Sequence, residues 1–337
     1  MTSARTHWSA NFMAAVLLCL TLLGIALGSA VGSTGWESWL HMWHDDVAWQ
    51  IVWDIRLPRS IGACVAGALL GLSGALAQGL FRNPLADPYL LGSASGASLG
   101  VAVALALFGG NPFATEMLVR LGLTGAAFVG AVSAVLLTLM LAQGVHHTLR
   151  LLLAGVIVGV VLGALASLVT LMRPDVLQGM QGFLLGSTSF ITWSSCVLML
   201  CVLLLCTALS FVLSRVLDAL TLGEATAMSL GVPLPPVRVA LIGMLALATG
   251  TAVAQTGLIA FVGLAAPHLV RSRVRVKHNG LVLLSALMGG VLLLMADVLA
   301  RWLLAPQEMP VGVLTAVLGG GYLLWLMYRG QSSRGAI

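Results

Sequence analysis

Long apolar runs cut by short polar turns make up nearly the whole chain. Runs of spanning length fall near 12–33, 60–81, 89–109, 118–142, 150–172, 189–213, 237–256, 257–271, 280–303 and 311–328. A bilayer core about 30 Å thick takes roughly 20 apolar residues in helical form. The pattern therefore predicts an all-α polytopic membrane protein of about ten transmembrane helices, forming one transmembrane domain over 1–337. No charge interrupts 237–271, and its division rests on Gly257 and Gly263, which permit a turn or an irregular helix there. The first run follows Arg5 and precedes small residues, as in a signal peptide. Its span from Phe12 to Val31 is nevertheless long enough to cross, and it reads as a retained first helix.

Charge orients the helices. With an even count both termini share a side, and a cytoplasmic N-terminus places Arg5, Arg82, Arg150, Arg215, Arg238, Arg271, Arg273, Arg275, Lys277, Arg329 and Arg334 inside. Arg56, Arg59, Arg120, Arg173 and Arg301 are then outside, eleven basic residues against five. Both termini are expected in the cytoplasm. Acidic residues lean outward: Glu37, Asp45, Asp46, Asp54, Glu116, Asp175, Asp297 and Glu308. Arg56 and Arg59, in "DIRLPRS", are external exceptions to the positive-inside preference, and Pro58 between them fits the first turn of a helix.

Composition agrees with the pattern and narrows the chemistry. Of 337 residues 59% are hydrophobic and 8% charged, with a mean hydropathy of +1.05, which excludes a water-soluble domain. The 39 glycines suit close helix packing in lipid. The net charge of +5 suits loops at an anionic membrane face, and nothing indicates a nucleic-acid site. Five cysteines lie in apolar runs without a CxxC pair, as small buried hydrophobes do.

One inner loop differs from the rest. "RVLDALTLGEATAMSLGVPLPPVR", 215–238, is too long for a turn and too polar to span. Thr221 and Glu224 have capping-box spacing, which predicts a short helix. Gly231 fits the left-handed position that ends one, and Pro233 prevents continuation. A self-capped helix on the inner face is suited to docking another protein. Helices two to five and seven to ten also form two sets of four, offset by an odd number, as an inverted repeat requires.

Several chemistries lack their residues. His41 and His44, three apart in "HMWHDD", have the spacing of metal or haem ligands but read better as interfacial polar residues beside Trp36 and Trp43. "GSASG", 92–96, carries alanine where a nucleophile elbow has serine. No mid-helix ionisable pattern marks an ion relay, since Asp297 lies four residues before Arg301, where the two can pair. The sole lysine, Lys277, is followed by His278, so no P-loop exists here.

Three stretches together resemble one family, the permease subunits of ATP-binding-cassette importers for cobalamin, ferric siderophores and haem. They are "RLPRSIGACVAGALLGLSGALAQGLFRNPLADPYLLGSASGASLG" (56–100), "LGEATAMSLGV" (222–232) with "GLIAFVGLAAPHLVR" (257–271), and "ADVLARWLLAPQEMPVGVLTAVLGGGYLLWLMYR" (296–329). The resemblance implies a permease domain in the bacterial inner membrane, working with a second copy of itself. Two copies of a cytoplasmic ATP-binding subunit would carry ATP–Mg, and a periplasmic binding protein would deliver cargo. The chain itself would bind no cofactor and be no enzyme. The family's coupling helix matches Thr221–Gly231, with Leu222, Gly223, Ala225, Met228 and Leu230 as contacts beside Glu224. Its outward arginines, which receive acidic residues of the binding protein, match Arg56, Arg59 and Arg301. Arg173, with Met172, Met180 and Phe183, is a candidate for the substrate path. A lone arginine among apolar side chains suits haem, a flat apolar ring with two propionates, and this region is most similar to the haem-import members. Cobalamin or a ferric siderophore is the alternative, and an ion-coupled secondary transporter is the competing class.

Overall fold

In the computed structural model residues 8–32, 35–36, 46–108, 117–142 and 148–332 are described; the segment with His41 and His44 lies outside them. Twelve helices are present among the described residues, and seven are long and apolar enough to cross a membrane. These seven are α1 (Ala10–Ala30), α2 (Asp46–Phe81), α4 (Met117–Leu141), α5 (Thr148–Met172), α7 (Trp193–Thr221), α9 (Leu234–Thr256) and α11 (His278–Trp302). Two shorter apolar helices, α3 (Ser93–Phe108) and α12 (Val311–Ser332), join them, and α10 (Val262–Arg273) makes the tenth membrane segment. A minimal strand pair, Val31–Gly32 with Gly35–Trp36, follows α1. The first and last described helices both reach α10. The Trp8 amide donates to the Arg273 carbonyl at 3.1 Å, and Tyr322 of α12 packs against His268. The start of α1 therefore lies on the face of the "RSRVRVK" cluster and α12 packs beside the same helix, in keeping with the charge count.

The predicted break in 237–271 exists and is sharper than a turn. Gly257 ends α9 at φ 67°, and Phe261, also at φ 67°, starts α10. With 12 residues α10 reaches only about 18 Å. The irregular stretch 257–261 therefore lies within the membrane thickness, where it must be buried in protein. It is so placed: the Tyr89 hydroxyl donates to the Ile259 carbonyl, and Ile259 is in the core.

The second span begins earlier than its apolar run suggests. Charges at Asp54, Arg56 and Arg59 set the predicted start near 60, yet one helix runs from Asp46 to Phe81. Pro58 is accordingly interior rather than at a helix start. It offers no N–H and its ring crowds the carbonyl one turn back. The helix absorbs this by a π-helical turn over Val52–Arg56, closed by the Leu57 amide on the Val52 carbonyl.

Each packing pair has a counterpart in which the two sets of four exchange roles. α2 packs on α11 as α9 packs on α4; α3 on α4 as α10 on α11; α2 on α10 as α9 on α3. This exchange is that of an inverted repeat of helices two to five and seven to ten. Glycines set the closest approaches: a Cβ on Gly67 would strike the Gly289 carbonyl, and one on Gly74 the Gly263 carbonyl. Lipid tails give no hydrophobic advantage to one apolar helix face over another, so such close backbone contact supplies the attraction.

Candidate functional site: an outer charge network, a cavity and an inner docking helix

Arg56, Arg59 and Arg301 meet at the outer ends of α2 and α11, as their sequence positions suggest. They are not exposed. All three are buried, and Asp297, also buried, sits between two of them. The Arg59 Nε donates to Asp297 Oδ1 at 3.0 Å, while its terminal nitrogen takes both oxygens of Glu308, at 2.8 and 3.0 Å. Arg301 pairs with Asp297 on its own helix and donates to the Gly28 carbonyl at 2.9 Å and the Ser60 hydroxyl at 3.1 Å. Arg56 donates to the Ser29 carbonyl at 3.3 Å. The guanidiniums thus pin α1, α2 and α11 together. Thr188 donates to Asp297, and the Ser189 hydroxyl to Glu308 at 3.1 Å, joining the segment before α7. The i, i+4 spacing foretold the Asp297–Arg301 pair; the part played by Glu308 needed the fold.

Beside this network opens a cavity of about 740 Å³. Its walls come from a short helix the apolar runs do not reveal, α6 (Pro174–Leu185), from the start of α7, the end of α9 and the loop before α12. The signals for α6 are local: Pro174 at its first position, Asp175 in its first turn and Gly186, at φ 67°, just past its end. The ends of α6 and α9 are tied by two backbone bonds. The Ser187 amide donates to the Thr256 carbonyl at 2.8 Å and the Leu258 amide to the Phe183 carbonyl at 3.0 Å. Gly186 and Gly257, both with positive φ, make this crossing possible. Apolar walls are Val101, Leu121, Leu123, Phe183 and Leu198; amides and hydroxyls come from Gln178, Gln181, Ser187, Ser194, Ser195 and Gln255. Among the described residues lining it, Glu308 is the only charged one.

The four residues taken for the substrate path separate. Phe183 lines the cavity. Met180 is buried against Val176 and Val253 in the neighbouring core. Met172 is largely exposed at the end of α5, and Arg173 donates to the Ala106 carbonyl at 2.9 Å, away from the cavity walls.

On the inner face the loop 215–238 forms the expected short helix, α8 (Glu224–Ser229), but not by the expected cap. Thr221 belongs to the last turn of α7, where its hydroxyl donates to the Asp218 carbonyl, and Gly223 at φ 106° occupies the N-cap without a side-chain bond. Glu224 instead turns to neighbouring helices: Arg238 of α9 lies 2.6 Å away and Arg82, beyond α2, 3.6 Å. The end does follow expectation. Gly231, at φ 81°, donates to the Met228 carbonyl and Val232 to that of Ala227, the paired bonds of a Schellman motif. Leu222, Ala225, Met228 and Leu230 are exposed, while Ala227 faces inward. One turn back, Asp218 accepts the His278 amide at 3.0 Å and its Nδ1 at 2.7 Å, fastening α7 to the first residue of α11.

Comparison with known proteins agrees with this architecture. The FecCD transport family matches residues 15–329. The chain is 39% identical over 326 residues to the hemin transport system permease protein HmuU of Yersinia pestis, covering 94% of this chain and 96% of that one. It is 35% identical over 343 residues to the iron(3+)-hydroxamate import system permease protein FhuB of Bacillus subtilis, covering 97% and 87%. A solved chain described as a metal-chelate type ABC transporter in an inward-facing conformation superposes with a TM-score of 0.83 at 30% identity, covering 93% of this chain and 98% of that one. The ten-segment inverted repeat is thus that of an inner-membrane ABC importer permease, and the chain belongs to the FecCD transport family.

Proposed function

We propose that this permease imports haem, delivered by a periplasmic binding protein and released to the cytoplasm by alternating access at the interface of two copies of the chain. ATP–Mg is hydrolysed on two copies of a separate ATPase subunit, and this chain binds no nucleotide. The observation that carries the cargo reading is the cavity. Its wall of Phe183, Leu121, Leu123 and Leu198 faces amides and hydroxyls across about 740 Å³, which suits a large apolar ring with a polar edge. Similarity to a hemin permease supports the same class. Arg173 meets the cargo's carboxylates at the approach, outside the cavity.

Arg56, Arg59 and Arg301 form the dock for carboxylates of the binding protein, since guanidinium forks grip carboxylates bidentately and stay charged. The exposed apolar residues in and flanking α8, Leu222, Met228 and Leu230, seat in the ATPase, so that its closure moves the membrane helices. One observation favours cobalamin as a second reading: the cavity walls are nearly free of charge, as an uncharged amide-rimmed cargo prefers.

Reconstitution with the ATPase and binding protein tests these readings directly. Haem should raise ATPase activity and accumulate inside vesicles, whereas cobalamin and a ferric siderophore should do neither. Accumulation of cobalamin without haem would replace the first reading by the second. Arg173→Ala should lower the haem-stimulated ATPase rate.

A further inference from the structure

The outer dock presents a contradiction that the geometry resolves. Arg59 is assigned to receive a carboxylate from the binding protein, yet it already holds two. Its side chain is 8% exposed, and those of Arg301 and Asp297 are 2% and 0% exposed; Glu308, at 29%, is the member of this set most open to solvent. An approaching protein therefore meets the Glu308 carboxylate covering the guanidinium, and an acidic side chain would be repelled there. Glu308 is carried by the exposed segment between α11 and α12, where Trp302, Leu303 and Leu304 also face outward. Both its oxygens accept from the same terminal nitrogen of Arg59, a charge-assisted contact that an incoming carboxylate would reproduce.

We propose that docking is a carboxylate exchange, in which an acidic side chain of the binding protein replaces Glu308 on Arg59. The exchange rests on the docking reading above and deepens it. Each carboxylate replaces another of equal charge, so Arg59 is never left buried without an anion, the costly outcome for a desolvated guanidinium. Asp297 stays in place and holds Arg59 and Arg301 throughout. The displaced Glu308 also leaves the Ser189 hydroxyl. Glu308, Met309 and Pro310 on one side and Ser187 and Ser189 on the other all line the cavity. Breaking the Glu308 contact therefore unfastens two walls of the cavity at the moment the cargo carrier arrives. Glu308 serves as a latch between the dock and the cavity.

The test measures affinity of the binding protein for the full importer with its ATPase, in nanodiscs. Glu308→Gln keeps shape and removes the competing charge, and it should tighten docking by about fivefold or more. Ser189→Ala, which removes the hydroxyl bonded to Glu308 and to the Ser187 hydroxyl, should shift affinity in the same direction by less. Arg59→Gln should weaken docking, and Glu308→Gln added to Arg59→Gln should bring no gain. Unchanged or weaker docking in Glu308→Gln, with docking still lost in Arg59→Gln, would overturn the exchange and leave the dock standing. Full docking in Arg59→Gln would remove the dock itself, and the exchange with it. Unchanged thermal melting of Glu308→Gln in detergent separates a loss of fold from a change in affinity; should that variant melt early, the Ser189→Ala shift decides, its absence counting against the exchange.

Discussion

Asp297 shows how one buried side chain can hold a membrane protein's outer end together. It accepts from Arg59, Arg301 and Thr188, and lies on the same helix as one of its partners. An isolated charge at such depth is expensive, and removal of one partner from a buried pair costs more than the pair is worth. Asp297→Asn should therefore lower stability by about 3–5 kcal/mol, read as early thermal unfolding in detergent. Glu308, partly exposed, should cost far less on substitution, because surface ion pairs contribute little. The contrast between these two carboxylates separates scaffold from latch. A comparable fall in melting temperature for both would show that Glu308 is structural.

Among elements, α8 is informative because its two ends are made differently. Its C-terminus is set by Gly231 in the left-handed region, with open space around the position. Gly231→Ala should cost about 1 kcal/mol through backbone conformation alone, leaving assembly with the ATPase intact at moderate temperature. Its N-terminus is held from outside, by Glu224 on Arg238 and Arg82. That link ties the docking helix to α9 and to the end of α2, whose other end carries Arg59. Glu224→Gln should leave ATP hydrolysis by the assembled importer in place while transported cargo per ATP falls severalfold; an unchanged ratio would show that motion passes elsewhere. The α2–α10 contact makes a second test at this scale. Gly74→Ala should destabilise by about 1–3 kcal/mol, since its methyl meets the Gly263 backbone. Gly243→Ala, with nothing near the new carbon, should be neutral.

At the scale of the whole molecule, the outer charge network and the α8 region are joined by continuous helices. The proposed dock sits toward the outer ends of α2 and α11, and the opposite ends of both reach the α8 region through Arg82 and through the His278 contact with Asp218. The cavity lies where helices are interrupted, between α6, α9 and the loop before α12. Rigid rods with breaks beside the cargo are a design in which one repeat can rock against the other. Asp218→Asn weakens the fastening of α7 to α11 and should reduce the ATPase stimulation that the loaded binding protein produces. Stimulation equal to that of the unchanged protein would mean that α11 does not carry the signal.

The apolar runs by themselves determined ten membrane segments, their orientation, the break near Gly257 and the short inner helix before Gly231, because lipid demands continuous apolar helices and leaves punctuation only to glycine, proline and charge. They also determined the family, through long ordered motifs. Other features depended on contacts between residues far apart in the chain. The runs placed the start of α2 near 60, since charge looks like an ending; Asp297 and Glu308 on Arg59, and the Ser29 carbonyl on Arg56, allow these two arginines to be buried in a longer helix. Capping-box spacing at Thr221 and Glu224 is local and gave way to Arg238, which offers Glu224 a full opposite charge. The cavity was illegible for the same reason. Its walls come from five stretches that a sequence cannot align, and only the packed structure decided that Phe183 faces it, that Arg173 does not, and that Arg59 is covered by Glu308.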